Sequence, residues 1–231
     1  MEENTKKIWI VIPAYNEEAK IGQVIDSLKL AGFYNIFVVN DGSRDRTEER
    51  AFQAGADVLN HVINRGQGAA LRTGIEYLRE THDPDIVVTF DADGQHKAED
   101  IGNMVMPIIK NEADIVLGSR FLTKSSQVPL LRKIILKAGI FFTNIISNVN
   151  LTDTHNGFRA LNKRAINLIR ITHRGMEHAS EIIEEIKKRK LRYKEVPVEI
   201  IYSEYSQRKG QKTSNFIKVG IKMVLKKLEI I

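Results

Sequence analysis

Short runs of apolar, often β-branched residues alternate along the first half of the chain with longer stretches in which apolar positions recur every three or four residues. The runs at 8–12, 36–39, 58–62, 86–90 and 114–117 read as buried strands. Between them, Ile21, Val24, Ile25 and Leu28 lie at helical spacing within 18–31, and Gly32 stops that helix. A polar helix is expected to about residue 54, a second apolar-faced one through Leu71, Ile75 and Leu78, and a third over 99–110. This alternation predicts an α/β fold with a mostly parallel central sheet and helices on both faces.

Beyond residue 120 the pattern changes. Residues 129–147 carry a wide apolar face suited to an amphipathic helix or helix pair, and 153–159 reads as a polar loop or short strand. Helices are expected near 164–170 and over 179–188, where Ile182, Ile183 and Ile186 share a face; a strand is expected over 195–202. No repeat or low-complexity linker divides the chain, so a single domain, 1–231, is expected.

Parallel strands gather their carboxyl ends, so the polar loops at Pro13, Asn40, Asn64 and Asp91 should converge on one crevice. Each offers something a nucleotide needs. Tyr15 brings an aromatic edge, Glu17 and Asp41 bring acceptors for base or ribose, and Gly66 and Gly68 allow close backbone approach. Arg65 adds a fixed positive charge, and the N–H groups opening the helix at Gly68 favour anions. Asp91 and Asp93 follow a strand as hard oxygen donors suited to Mg²⁺ or Mn²⁺.

Composition narrows the reading. The 231 residues contain no cysteine, which excludes a disulfide framework and a thiolate metal site. The apolar run after the polar N-terminus is too short for a signal peptide, and 134–146 is too short to span a bilayer. From Ile201 onward seven basic side chains face two acidic ones, so that this tail holds +5 of the net charge of +6. It lacks interleaved aromatics, and no nucleic acid partner is expected. In 214–231, Ile217, Ile221, Val224 and Leu228 form an apolar stripe beside Lys218, Lys222 and Lys226, the pattern of a helix lying on an anionic membrane surface. A cytoplasmic enzyme, peripheral on the membrane, is the corresponding expectation.

The ordered set of motifs resembles the family-two inverting glycosyltransferases of the GT-A fold. It runs through Pro-Ala-Tyr-Asn-Glu at 13–17, Asn-Asp-Gly-Ser at 40–43, Asn-Arg-Gly-Gln-Gly-Ala-Ala at 64–70, Asp-Ala-Asp-Gly-Gln-His at 91–96, Gly-Ser-Arg at 118–120, Asp-Thr-His-Asn-Gly-Phe-Arg at 153–159 and the segment 208–212. Within that family the chain looks most like the dolichol-phosphate mannose synthase and polyprenyl-phosphate glycosyltransferase branch.

The resemblance implies the GT-A nucleotide-diphospho-sugar transferase fold, with 1–120 as a nucleotide-sugar half, 121–213 as an acceptor half and 214–231 as a basic amphipathic helix. It implies that Pro13, Tyr15, Glu17, Asp41, Arg65, Gly66 and Gly68 bind the donor. Asp91, Asp93 and Gln95 would form the metal and diphosphate site for Mg²⁺ or Mn²⁺, with Asp91 nearer the sugar or ribose. Asp153 would act as base or positioning group, and Arg120, Arg132, Arg208 and Lys212 would meet an anionic acceptor. The implied reaction moves a hexose from a UDP- or GDP-sugar to a polyprenyl phosphate, or to a saccharide hydroxyl. Two departures stand out: Asn40 occupies a place where the family commonly has an acid, and Asn156 one where it commonly has serine.

Overall fold

Along the first strand, Ile10 and Ile12 point to one side of the sheet while Trp9 and Val11 point to the other, and both sides are buried. Such two-sided burial marks a strand covered by helices on both faces. The computed structural model describes residues 6–123, 140, 144, 149–154 and 156–201. Strands β1 (Ile8–Ala14), β2 (Ile36–Asn40), β3 (Asp57–Asn60), β4 (Ile86–Thr89), β5 (Ile115–Ser119), β6 (Arg159–Asn162) and β7 (Tyr193–Pro197) form a seven-stranded sheet in the order β3-β2-β1-β4-β6-β5-β7. Helices α1 (Ile21–Leu30), α2 (Thr47–Gln53), α3 (Gln67–Thr81), α4 (Ile101–Ile109), α5 (Lys163–Leu168) and α6 (His178–Lys188) accompany it.

Two apolar layers follow. Ile21, Ile25 and Leu28 of α1 and Ile101 and Met104 of α4 pack with Ile10, Ile12 and Val88 on one face. Leu71, Ile75 and Leu78 of α3 pack with Ile182, Ile183 and Ile186 of α6 around Val11, Val39 and Val87 on the other. Each fully buried Leu or Ile contributes about 1.5–3 kcal/mol relative to exposure.

The sheet is mostly parallel, as the alternation predicts. The exception is β6, which runs antiparallel between β4 and β5. Its first residue closes the stretch 153–159, which reads as a polar loop or short strand, and 160–162 lies between that stretch and the expected helix; a strand that short has no readable period and is held by its neighbours. The expected strand at 58–62 is instead Asp57–Asn60, a partly exposed edge. That at 195–202 is Tyr193–Pro197, with Ile200 forming a separate antiparallel bridge to His96. Most of the segment 129–147 and all of 214–231 lie outside the described residues, as do Arg132, Arg208 and Lys212.

The strand sequence steps outward from β1 to β2 and β3, then returns to β4 on the opposite side of β1. Ligands of open α/β sheets bind outside the strand ends at such a switch point.

Candidate active site

At that switch point a cleft of about 530 Å³ opens over the carboxyl ends of β1, β2 and β4. Its first wall is the loop after β1. Asn16 takes a left-handed conformation (φ 53°), which asparagine tolerates better than most residues, and its carboxamide oxygen accepts the Arg44 N–H at 2.8 Å. The Asn16 N–H donates to Ser43 Oγ and the Glu17 N–H to Thr47 Oγ1, so the first loop is laced to the second. Pro13, Tyr15 and Glu17 line the cleft, with Tyr15 42% exposed at its mouth.

Asp41 is buried at the back of this wall and nearly saturated. Its Oδ1 accepts from His61 Nδ1 (2.7 Å) and from the Arg65 N–H (2.9 Å), and its Oδ2 from the Gly66 N–H (2.7 Å). His61 is in turn 3.0 Å from Thr73 Oγ1 through Nε2. The Asn40 amide donates to Asn60 Oδ1 at 2.8 Å and ties β2 to the edge strand β3, a bond that an ionised aspartate could not donate.

The glycine turn is also met closely by the chain itself. A Cβ on Gly66 would sit 2.4 Å from the Arg174 carbonyl oxygen, and one on Gly68 would sit 2.2 Å from that of His173. The Ala69 N–H donates to the Arg174 carbonyl at 3.2 Å. The close approach is therefore made by the chain's own segment 173–175, which docks onto the start of α3. Gly66 still lines the cleft, whereas Gly68 is buried beneath that segment. The Arg65 side chain is exposed, and its link to the site is its main-chain N–H.

Asp91 and Asp93 lie on the opposite wall. Gln67 Nε2 donates to Asp91 Oδ1 at 3.0 Å, and His96 Nε2 is 3.0 Å from Oδ2. Burial works against ionisation of Asp91, but the hydrogen bond and charge of His96 and the charge of Arg159 outweigh it and hold this carboxyl below its usual range. Asp93 is shifted the other way, first by burial and then by the Asp91 charge. The Gln95 N–H donates to Asp93 Oδ1 at 3.0 Å and its side-chain amide donates to Oδ2, turning the Gln95 carbonyl oxygen into an available donor atom. Among the described residues no three His, Cys, Asp or Glu side chains cluster closely enough to hold a metal unaided. Two carboxylates and an amide oxygen nevertheless fit Mg²⁺ or Mn²⁺, which characteristically complete their shell with water and phosphate oxygens.

The third side comes from the second half of the chain. Arg120, at the end of β5, lines the cleft and donates through Nε (2.6 Å) and its main-chain N–H (3.2 Å) to Oδ2 of Asp153. Asp153 is 2% exposed and sits behind Arg120 rather than in the lining. Gly157 presses on Asp91, because a Cβ there would lie 2.8 Å from Oδ2.

Several residues of the site carried no assignment in the sequence. Gln67 and His96 lie inside recognised motifs, but their contacts with Asp91 depend on tertiary approach. Arg159 is buried on β6, donates to the Ala179 carbonyl, and balances the charges of Asp91 and Asp153; burial lowers its pKa to about 10, so it remains a cation at neutral pH. His178 opens α6 and lines the cleft beside Gly68 at the start of α3. Burial and the Arg159 charge push it down to about 4, and its Nδ1–H donates to the Gly175 carbonyl, so it is neutral at physiological pH.

The chain is similar to known proteins. A family model described as Glycosyl transferase family 2 matches residues 9–169. The chain is 38% identical to an uncharacterised protein of Methanocaldococcus jannaschii over 98% of its own length and 95% of the relative's. It is 33% identical to a UDP-N-acetylglucosamine–dolichyl-phosphate N-acetylglucosaminyltransferase of Methanococcus voltae, over 96% of this chain and 97% of that one. Its fold superposes with a TM-score of 0.74 on the glucosyl-3-phosphoglycerate synthase of Mycobacterium tuberculosis solved with Mn²⁺, UDP and glucosyl-3-phosphoglycerate, at 20% identity over 97% of this chain and 80% of that one. The convergent strand-end loops, the paired aspartates of the cleft and these full-length likenesses lead to one conclusion: the chain belongs to glycosyl transferase family 2 and is a glycosyltransferase of the GT-A fold.

Proposed function

We propose that this glycosyltransferase moves a hexose, with inversion, from a UDP-sugar to a polyprenyl phosphate, using Mg²⁺ or Mn²⁺. The carrying observation is the cleft itself, in which Asp91 and Asp93 face the donor side while Arg120 lines the same cavity. The relative named for transfer from UDP-N-acetylglucosamine to dolichyl phosphate supports both substrate classes.

A count of hydrogen-bond positions favours uridine over guanosine. A carboxylate offers about four acceptor positions. Three of those on Asp41 are filled by His61, Arg65 and Gly66, leaving one on Oδ2. Uracil presents one ring N–H, whereas guanine presents an adjacent N–H pair that calls for two acceptors. Tyr15 at the cleft mouth supplies a face for the base.

Asp91, Asp93 and Gln95 would hold the divalent cation, which neutralises the leaving diphosphate. The remaining work falls to the chain's own groups. Arg120 and Arg159 offset the charges of Asp153 and Asp91, so that an anionic acceptor can approach the anomeric carbon from the face opposite the diphosphate. A phosphate acceptor is already ionised near neutral pH. Asp153, engaged by Arg120 through two hydrogen bonds, then orients that arginine instead of abstracting a proton.

No helix among the described residues is long and apolar enough to cross a membrane. We place the enzyme peripherally at the cytoplasmic membrane face, where a polyprenyl acceptor resides, with the basic stripe of 214–231 as its contact.

Thermal shift with UDP and GDP, each with and without Mn²⁺, tests the donor site. Saturation at one hundred times Kd stabilises the native state by about 2.7 kcal/mol, so UDP with Mn²⁺ should raise the melting temperature clearly and GDP less. Absence of any Mn²⁺-dependent nucleotide shift would sink the proposal. Product analysis with labelled donors tests the acceptor: label found on saccharide alone removes the lipid-phosphate assignment.

A further inference from the structure

Asn156 is 3% exposed, lines the cleft, and has a side-chain amide nitrogen with no partner among the described residues. Its carboxamide is oriented by the chain, since Oδ1 accepts the Phe158 N–H at 3.0 Å. The amide nitrogen is therefore the free end, and it can only donate. A buried donor left unmet loses its hydration without compensation, and such a group in a cleft calls for a ligand to satisfy it.

The neighbouring carboxylates do not meet this need. Asp91 takes its hydrogen bonds from Gln67 and His96, and Asp153 from Arg120. Yet the chain on either side of Asn156 reaches both: Gly157, the next residue, abuts the Asp91 carboxylate, while Asp153 three residues earlier is bound to Arg120. It thus lies where the donor wall meets the acceptor wall. A group lodged there meets a donor-only amide, with the Arg120 cation in the same cavity, a combination suited to an anionic, acceptor-only ligand.

We infer that the Asn156 amide binds a phosphate oxygen of the acceptor and so selects a phosphate monoester over an uncharged hydroxyl. The inference rests on the proposed transfer to a lipid phosphate and adds to it the residue that reads the acceptor head group.

The test measures binding of farnesyl monophosphate in detergent micelles, with UDP and Mn²⁺ present, to wild type, Asn156→Asp and Asn156→Ala. Asn156→Asp preserves shape and the acceptor for the Phe158 N–H but replaces the donor with a negative charge. It should weaken farnesyl phosphate binding by roughly thirtyfold or more, and Asn156→Ala by about tenfold, with UDP affinity within about twofold of wild type in both. Melting temperatures are read alongside, and Asn156→Ala carries the comparison if the charged variant does not fold. Unchanged farnesyl phosphate binding in the folded variants overturns the inference, as does a loss confined to UDP. Wild type that binds UDP but no isoprenoid phosphate overturns the acceptor assignment itself and this inference with it, an outcome distinct from the previous two.

Discussion

Aspartates sit at opposite ends of the same sheet and are treated in opposite ways. Asp114, at the amino end of β5, is 1% exposed and receives hydrogen bonds from Asn162, Arg164 and both the main chain and guanidinium of Arg192. Its own N–H and C=O groups also bond to Arg192 and Asn162. It joins the segments leading into or out of β5, β6 and β7. At the carboxyl ends, Asp93 receives hydrogen bonds, among the described residues, from Gln95 alone, in a cleft that holds Asp91 as well. A carboxylate saturated by its own chain is a clasp. One left with open lone pairs beside a second negative charge is prepared for a cation.

The pKa shifts express the same contrast. Burial alone would raise Asp114, but the hydrogen bonds and charge of Arg192, with the help of Asn162, lower it to about 2. Asp93 is raised, by burial and by the like charge of Asp91. The same residue type, an aspartate, thus marks stability at one end of the sheet and chemistry at the other.

Three experiments can break or sharpen this contrast. The largest effect is expected from Asp93→Ala, which should lower transfer roughly a thousandfold, about 4 kcal/mol of transition-state stabilisation, and abolish the Mn²⁺-dependent nucleotide shift. Its melting temperature without ligand should stay near that of wild type; a large drop would make Asp93 a clasp like Asp114. Next, Asp114→Ala should cost about 3 kcal/mol of stability by removing the shared acceptor of the Asn162 amide, the Arg192 N–H and two guanidinium groups, seen as a melting temperature lower by roughly 6–12 °C. At temperatures where it remains folded, kcat and both KM values should match wild type, and a selective fall in kcat would erase the distinction.

The smallest effect is a pH dependence. The folded pKa of Asp114 lies below the usual 3.8, so its contribution is fully present above about pH 4 and is lost as pH falls through about 2. Denaturant unfolding across that window should show about 2 kcal/mol less loss in Asp114→Asn than in wild type. Parallel curves for the two proteins would show that Asp114 is not the acid-sensitive clasp.

The legibility of these features follows their range. Asp91, Asp93 and Gln95 were readable because the residues that share the cleft wall lie within five positions after a recognisable strand. Asp41 was readable as a strand-end acid, but its saturation by His61 was not, since that contact depends on the pairing of β2 with β3. The Gly66 and Gly68 turn was found for its glycines, but its contact with segment 173–175 was not: steric permission is local, whereas the identity of what approaches is not. Asp114 carried no signal beyond opening a strand. Its partners lie as far as Arg192, and nothing local distinguishes a clasped aspartate from a solvated one.

The amino-acid sequence by itself determined the α/β alternation, the parallel half of the sheet and the convergence of four polar loops, because hydrophobic period and strand direction are local properties with a global consequence. Tertiary structure alone decided the antiparallel insertion of β6, which brings Arg159 beneath Asp91 and sets Gly157 against it. It also decided the docking of segment 173–178 onto α3, which closes the cleft with His178. Those contacts join residues separated by tens of positions, and their energies come from burial and charge balance that exist only once the sheet has closed.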